Sequence, residues 1–431
     1  MFIIQKIEVL NKRMFVLIDC ETTLPLLYPM LYCANKLVDR APATQQNILL
    51  HIRRFYEYWH NKTGYTFCYS VSKSGKNFSF LPYELEIFHM YLVDKYIDNT
   101  PLSKTSAASL AQQVLDVCCF FEFIVNLLNS NKSSFHELSR LQELKRYFGA
   151  MVKKRPRNFM FGSLDNFAEA IVRQIIRPST VKNPNALNPF KTQALQVRNY
   201  LIIDLMFKYG LRIGELLSLE LGSIEKTATS SLLKINCGRA HDPRRQRPSV
   251  KNVHSIRVLN LADEDYKNLQ LYILKFRDKS SGSNFLFLSD AKKHDTPLTY
   301  RAVYGIFSQI DQVIKNQIKL DPVLYDGLSS MPKFTPHTTR HTWAYRTLKN
   351  FYLETERQNL KKAQINGVGF SIQGIMDDAK GKLRSLGGWS QKSTMPDLYA
   401  KRFIFENAND ANLKRLKYEK QDFTLSLEDF E

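Results

Sequence analysis

Thr335-Pro336-His337-Thr338-Thr339-Arg340-His341-Thr342 decides how the second half of this chain is read. The apolar run after it (Trp343, Ala344, Tyr345, Leu348) can be helical, so Thr335 reads as a helix cap and Pro336 as a first-turn residue. Helix N-termini attract anions, because their free N–H groups and the dipole point outward. His337 and Arg340 are three apart, so on that helix they share a face and can hold one phosphate. A solvated basic helix end accounts for the octapeptide alone equally well, and the rest of the chain has to choose.

Charge points the same way. The chain has 431 residues, enough for two or three domains, with 61 Lys+Arg against 41 Asp+Glu and a net charge of +20. Such an excess implies a polyanionic partner, nucleic acid before membrane. Hydrophobic content of 44% and aromatic content of 12% imply a folded chain rather than a basic tail. Cys20, Cys33, Cys68, Cys118, Cys119 and Cys237 form no C-x-x-C pair and read as free thiols of a reducing compartment. Met1-Phe2-Ile3-Ile4 runs at once into Lys6 and Glu8, unlike a signal peptide. The apolar region Leu110 to Leu128 is broken by Gln112, Gln113, Asp116 and Glu122, so no membrane span is expected. These features imply a cytoplasmic protein.

Upstream, Phe2–Val9 and Met14–Asp19 read as a hairpin. Helical patterns start at Ala43 and cover Pro82–Ile97, Ser106–Leu128, His136–Phe148 and Leu164–Ile176. Residues 1–176 are therefore expected to be a helical unit with an N-terminal hairpin. Within it, Lys153, Lys154 and Arg155 form a basic cluster, a phosphate-contacting loop or a solvated run. Residues 177–191 hold three prolines and little periodicity, which predicts a linker. Residues 192–431 form the second unit. It opens with a helix on Val197, Leu201, Leu205 and Tyr209, ended by Gly210. Arg212 and Glu215 follow three apart. Strand-like Leu232–Asn236 and His254–Leu261 flank a loop carrying Arg239, Arg244, Arg245, Arg247 and Lys251, which either enters a DNA groove or is a solvated hairpin. Further helices are expected at Tyr300–Ile318 and after His337. The fold class is mainly α with a small β-hairpin or sheet.

The ordered set resembles the catalytic domain of the tyrosine recombinase (phage integrase-type) family. Gly210-Leu211-Arg212-Ile213-Gly214-Glu215-Leu216-Leu217-Ser218-Leu219 resembles its first arginine box. Lys251-Asn252-Val253-His254-Ser255-Ile256-Arg257 resembles its β-hairpin lysine segment, with Asn252 where threonine is common. His337-Thr338-Thr339-Arg340-His341-Thr342 resembles its H-x-x-R-H-T box. Trp389 stands where the family has histidine or tryptophan, and Tyr399 where it has the nucleophile. Two spacings depart from the family: Trp389 to Tyr399 is one residue longer than usual, and the long interval from Arg340 to Trp389 implies an insertion within Asn350 to Ile372.

The resemblance implies a mixed α+β catalytic domain behind a helical core-binding-like domain, the two clamping a DNA duplex. It also implies a site-specific recombinase of the integration and excision type. Arg212 and Arg340 would hold the nonbridging oxygens of a phosphodiester. Tyr399 would attack and form a 3′-phosphotyrosine. His337 would exchange a proton with the tyrosine, and Lys251 would protonate the 5′-oxygen. Trp389 would donate its indole N–H, and Glu215 would orient its neighbours. Fixed cations can replace a metal in such chemistry, so no metal or cofactor is expected. His337 and His341 have i,i+4 metal spacing but lack H-E-x-x-H and a third ligand nearby in sequence. Double-stranded DNA is the implied partner, with four protomers on two sites and room for accessory DNA-bending proteins. A type IB topoisomerase-like relaxing enzyme shares the same site, and a DNA-binding relative without catalysis is the other alternative.

Overall fold

A computed structural model describes residues 1–418 apart from 10–11, 75–76, 78, 97–103, 129–134, 154–161, 237–241, 245, 249–252, 278–281, 290–295 and 367–371. The chain is mainly α with small antiparallel sheets, as its sequence predicts. It divides into two compact units, Met1–Arg157 and Asn158–Glu431.

The first unit opens with the expected hairpin, β1 (Phe2–Val9) and β2 (Lys12–Asp19), paired antiparallel from Phe2↔Asp19 to Val9↔Lys12. Its helices are α1 (Leu27–Tyr32), α2 (Pro42–Thr63), α3 (Phe67–Lys73), α4 (Phe80–Tyr96), α5 (Lys104–Leu128) and α6 (Phe135–Lys153). The core is aromatic: Phe55 meets Phe67, Phe88 and Phe121 edge-on at ring separations of 5.0, 5.3 and 5.0 Å. Ala107–Leu128 is long and apolar enough to cross a membrane, but 67% of its apolar window is buried inside this unit. The polar residues that interrupt α5 are spent in the bundle. Asp116 bonds His51 Nδ1 at 2.7 Å, Gln113 accepts from Arg54 Nη1 at 2.6 Å, and Glu122 accepts from Lys145 at 2.7 Å.

The boundary differs from the one the sequence predicts. Helix α7 (Asn166–Ile176) belongs to the second core, where Ala168, Val172, Ile175 and Ile176 are buried with Leu201, Ile202 and Met206. Residues 177–191 are folded onto the end of α7. Asn185 Nδ2 donates to the carbonyls of Gln174 at 2.9 Å and Arg177 at 2.7 Å, and Asn188 Nδ2 donates to Ile176 O at 3.2 Å. Phe190 is buried, and its carbonyl accepts from Gln196 Nε2 at 2.8 Å. Asparagine and proline close a helix end as readily as they link domains, which is why the stretch read as a linker.

Helix α8 (Gln193–Tyr209) is central to this unit, buried on several faces through Leu201, Ile202, Ile203, Leu205, Met206 and Phe207. Gly210 ends it at φ +60°, and a Cβ there would lie 2.1 Å from the Trp343 ring. The chain then turns into α9 (Ile213–Leu217). A three-stranded antiparallel sheet follows: β3 (Ile224–Lys226), β4 (Ser231–Ile235) and β5 (Arg257–Leu261), with Leu233 opposite Leu259. The short β3 has no signal in the sequence. Next come α10 (Asp263–Leu271) and α11 (Tyr300–Leu320), whose Val303, Ile306, Phe307, Ile310 and Ile314 form a helical stripe into the core. The unit closes with α12 (Pro336–Asn366), α13 (Ile372–Gly387) and α14 (Met395–Tyr418). The interval Asn350 to Ile372, where the family spacing implies an insertion, covers the second half of α12 and residues 367–371, which lie outside the described residues.

Candidate active site

The site is built from the ends of helices. At the start of α12, Thr335 Oγ1 accepts from Thr338 N at 3.3 Å and Thr338 Oγ1 accepts from Thr335 N at 3.2 Å, a reciprocal cap that fixes the first turn. Pro336 occupies that turn as expected. His337 is exposed there, and Arg340, one turn on, is 6% exposed.

Two glycine turns aim carbonyls at the arginines. Arg340 Nη1 donates to the carbonyl of Gly210, behind α8, and Nη2 donates to Gly387 O at 2.6 Å, at the end of α13. Arg212 Nη2 donates to Gly388 O at 3.1 Å and Nη1 to Ser255 Oγ at 3.0 Å. Gly388 has φ +61°, and a Cβ there would press on Arg257 Nη1 at 2.8 Å. Helix C-termini carry partial negative charge, so these carbonyls offset part of the cost of burying two cations.

Glu215 is the shared anion, its side chain fully buried. It accepts from Arg212 Nη1 at 2.6 Å and backbone N at 3.0 Å, and from Arg257 Nη2 at 3.0 Å. Burial alone would raise its pKa; the bond and charge of Arg257, with Arg340 and the Arg212 N–H, overcome that and hold it below the usual carboxylate value. Arg257, which the sequence reading left without a role, is the second cation on that carboxylate. Burial and the charge of Arg212 pull the Arg340 guanidinium down to about 9, still charged at neutral pH.

Trp389 sits among the groups. Its ring lies 4.4 Å from Arg340 Cζ and 5.9 Å from Arg212 Cζ, and 6.3 Å from the Tyr399 ring. Trp343 stacks behind it at 6.2 Å. Tyr399, on the first turns of α14, is 4% exposed, and burial pushes its hydroxyl up to about 12 against the pull of Arg340 and Arg212. Its hydroxyl bonds His341 Nδ1 at 2.8 Å. His341 lies four residues beyond His337, with the two rings 6.3 Å apart. Sequence reasoning gave the tyrosine's proton to His337 and left His341 open; the only signal for His341 was its place one turn further along the same helix. A cavity of about 170 Å³ is lined by Arg212, Ile213, Gly214, Tyr300, Pro336, His337 and Arg340.

The structure therefore gathers Arg212, Glu215, His337, Arg340, Trp389 and Tyr399. Lys251, Arg239, Arg245, Lys154 and Arg155 lie outside the described residues. Lys153 is exposed at the end of α6, and Arg247 donates from Nε to Asp242 O at 3.0 Å. Arg244 does not present its charge to a DNA groove. Its side chain is 4% exposed, paired with Asp242 at 2.6 Å, and its guanidinium also donates to Leu298 O at 2.7 Å and Leu217 O at 2.9 Å. A run of arginines reads alike in sequence whether it faces solvent or a buried aspartate.

Residues 180–352 match the model of the phage integrase family. The match spans Arg212, His337 and Arg340 and stops before Trp389 and Tyr399. No curated protein matches the chain. Among solved structures, the Tn1549 transposon integrase in complex with circular intermediate DNA is similar at 16% identity, covering 84% of this chain and 98% of that one, with a TM-score of 0.42. The XerH site-specific recombinase bound to its difH substrate is similar at 13% identity, covering 74% of this chain and 73% of that one, with a TM-score of 0.36.

Proposed function

With residues 180–352 forming a phage integrase-family domain, we propose that this chain is a site-specific DNA recombinase that cuts and rejoins DNA through a 3′-phosphotyrosine. The observation that carries the reading is the convergence on one indole: Arg212, Arg340 and Tyr399 all touch Trp389. Two forked cations beside a buried hydroxyl suit a phosphodiester, because each guanidinium has five N–H donors and can bind two oxygens at once. Among the described residues, carbonyls and Glu215 take some of those donors and hold both planes fixed. Donors fixed in advance need no reorganisation as negative charge develops on phosphorus. Tyr399 Oη attacks in line, the P–O5′ bond breaks, and Lys251 supplies the proton to the departing 5′-oxygen. His337 and the Trp389 N–H complete the phosphate's contacts. The bond energy stays in the phosphotyrosine, so a 5′-hydroxyl can rejoin the strand. Oligomers of four protomers on two DNA sites, and accessory DNA-bending proteins, belong to the same proposal.

The test is covalent capture. Wild-type protein should trap duplexes from a random nicked pool as SDS-stable adducts on Tyr399, in the presence of excess EDTA. Tyr399→Phe should bind the captured duplexes as well as wild type does and form no adduct. An adduct on Tyr399→Phe would move the nucleophile elsewhere, and loss of capture in EDTA with return on adding a divalent ion would overturn the metal-free chemistry. Relaxation of any supercoiled plasmid at equal rate, without a preferred site, would favour the topoisomerase-like alternative.

A further inference from the structure

We propose that His341 is the base of the cleavage step: it accepts the hydroxyl proton of Tyr399 through Nδ1 as the tyrosine attacks. The inference rests on reading Tyr399 as the nucleophile and assigns the destination of its proton.

The geometry is direct. Tyr399 Oη and His341 Nδ1 are 2.8 Å apart, within the range required of a general base. Neutral tyrosine carries the proton in that bond, so Nδ1 is the acceptor and the ring hydrogen sits on Nε2. The imidazole is held by packing as well as by the bond. Gly162 lies against it so closely that a Cβ would stand 3.2 Å from Cδ2, and Leu164 N donates at 2.8 Å to Thr342 Oγ1 on the same turn of α12. From the other side, Arg402 on α14 donates to the Ser163 hydroxyl, tying the helix that carries Tyr399 to the same short segment. Base and nucleophile are thus set on two helices clamped by one strip of chain.

The surroundings keep His341 in the accepting form until DNA arrives. Burial, the neighbouring His337 and the charge of Arg340 all disfavour its imidazolium, bringing it down to about 4. A phosphodiester bound at Arg340 and His337 adds a negative charge beside these groups and opposes two of the three effects. The imidazole is then more basic with substrate in place than without it. The step balances: the Tyr399 O–H bond breaks, its proton joins Nδ1, the O–P bond forms, and the P–O5′ bond breaks with a proton from Lys251. His337, exposed at the mouth of the cavity with Arg212 and Arg340, is left to the phosphate.

His341→Asn offers an amide oxygen near the Nδ1 position without basicity, and His341→Phe removes both. Each is measured for single-turnover adduct formation on a duplex captured by wild type, at saturating DNA, with tyrosine or ring-fluorinated tyrosine at position 399. Both variants should be slowed about 100-fold with ordinary tyrosine, in the range general-base catalysis supplies. The fluorinated ring is more acidic and needs less help from a base, so it should restore most of that loss in both. His341→Asn reacting within about 3-fold of wild type would overturn the proposal, since an acceptor without basicity would then suffice. A slow variant that gains nothing from fluorination would overturn it too. Rescue of His337→Ala in place of the His341 variants would give the proton to His337. If His341→Phe fails to fold, His341→Asn still decides. An adduct on Tyr399→Phe would instead strike the nucleophile assignment beneath.

Discussion

Arg340 and His341 are adjacent in the chain and solve burial in opposite ways. Arginine cannot shed its charge, so Arg340 is met by the carbonyls of Gly210 and Gly387 and by the faces of Trp343 and Trp389. Histidine can, and His341 stays neutral. That choice has a cost at low pH. The pKa of His341 falls from 6.5 to about 4 on folding, so the unfolded chain takes up the proton first as pH drops. The contribution of the neutral ring is full above pH 6.5 and is lost progressively toward pH 4. His341→Asn has no such group, and all other histidines are common to both proteins. In denaturant unfolding, wild-type stability relative to His341→Asn should fall by about 2 kcal/mol between pH 7 and pH 5. A constant gap would mean that the ring titrates freely in the native state. Of this pair, the sequence made the arginine legible, because three-residue spacing fixes it beside His337. It could not rank His341, because which side of α12 meets α14 is settled by packing.

At the scale of elements, the site depends on where helices stop. Gly210 and Gly388 adopt φ values of +60° and +61°, turning carbonyls toward Arg340 and Arg212, and the absence of a Cβ at Gly210 makes room for Trp343. The first of these stops was legible, since an apolar stripe ends at Gly210. Helices α13 and α14 were not read as elements, though Trp389 and Tyr399 on or beside them could be placed by the family resemblance. The stretch 177–191 was misread for a related reason: capping asparagines look like linker asparagines until their partners are known. The two readings differ in protease sensitivity. Asn185 Nδ2 reaches three carbonyls, those of Gln174, Ile175 and Arg177, and its Oδ1 accepts from Leu187 N at 3.1 Å. Lys182 lies exposed within the loop these bonds close. Cutting after Lys182 by a lysine-specific protease should be slow in the native protein. It should speed up about tenfold in Asn185→Ala, the effect of losing about 1.4 kcal/mol of local hydrogen bonding. Rapid cutting after Lys182 in the wild type would restore the linker reading.

For the whole molecule, the net charge of +20 pointed to a nucleic-acid partner, yet it counts cations that face inward. Arg257 sits on Glu215 with its side chain 8% exposed, and Arg244 is paired with Asp242 with its side chain 4% exposed. Cations buried in such pairs are not offered to a phosphate and are not expected to release condensed counterions. Net charge therefore points toward a polyanionic partner but overstates the number of contacts. Salt dependence separates the two populations. For a captured duplex, log K falls with log salt at a slope of about 0.9 per phosphate contacted. Arg244→Ala should leave that slope unchanged and destabilise the fold by about 3–5 kcal/mol, because Asp242 would be left buried without its cation. Lys153→Ala, on an exposed residue of the basic cluster, should keep the stability and lower the slope by about 1. Thermal unfolding and fluorescence anisotropy between low and physiological salt measure both quantities on the same proteins. Arg244→Ala losing a unit of slope at unchanged stability would return it to the DNA-facing loop that its neighbours in sequence suggest.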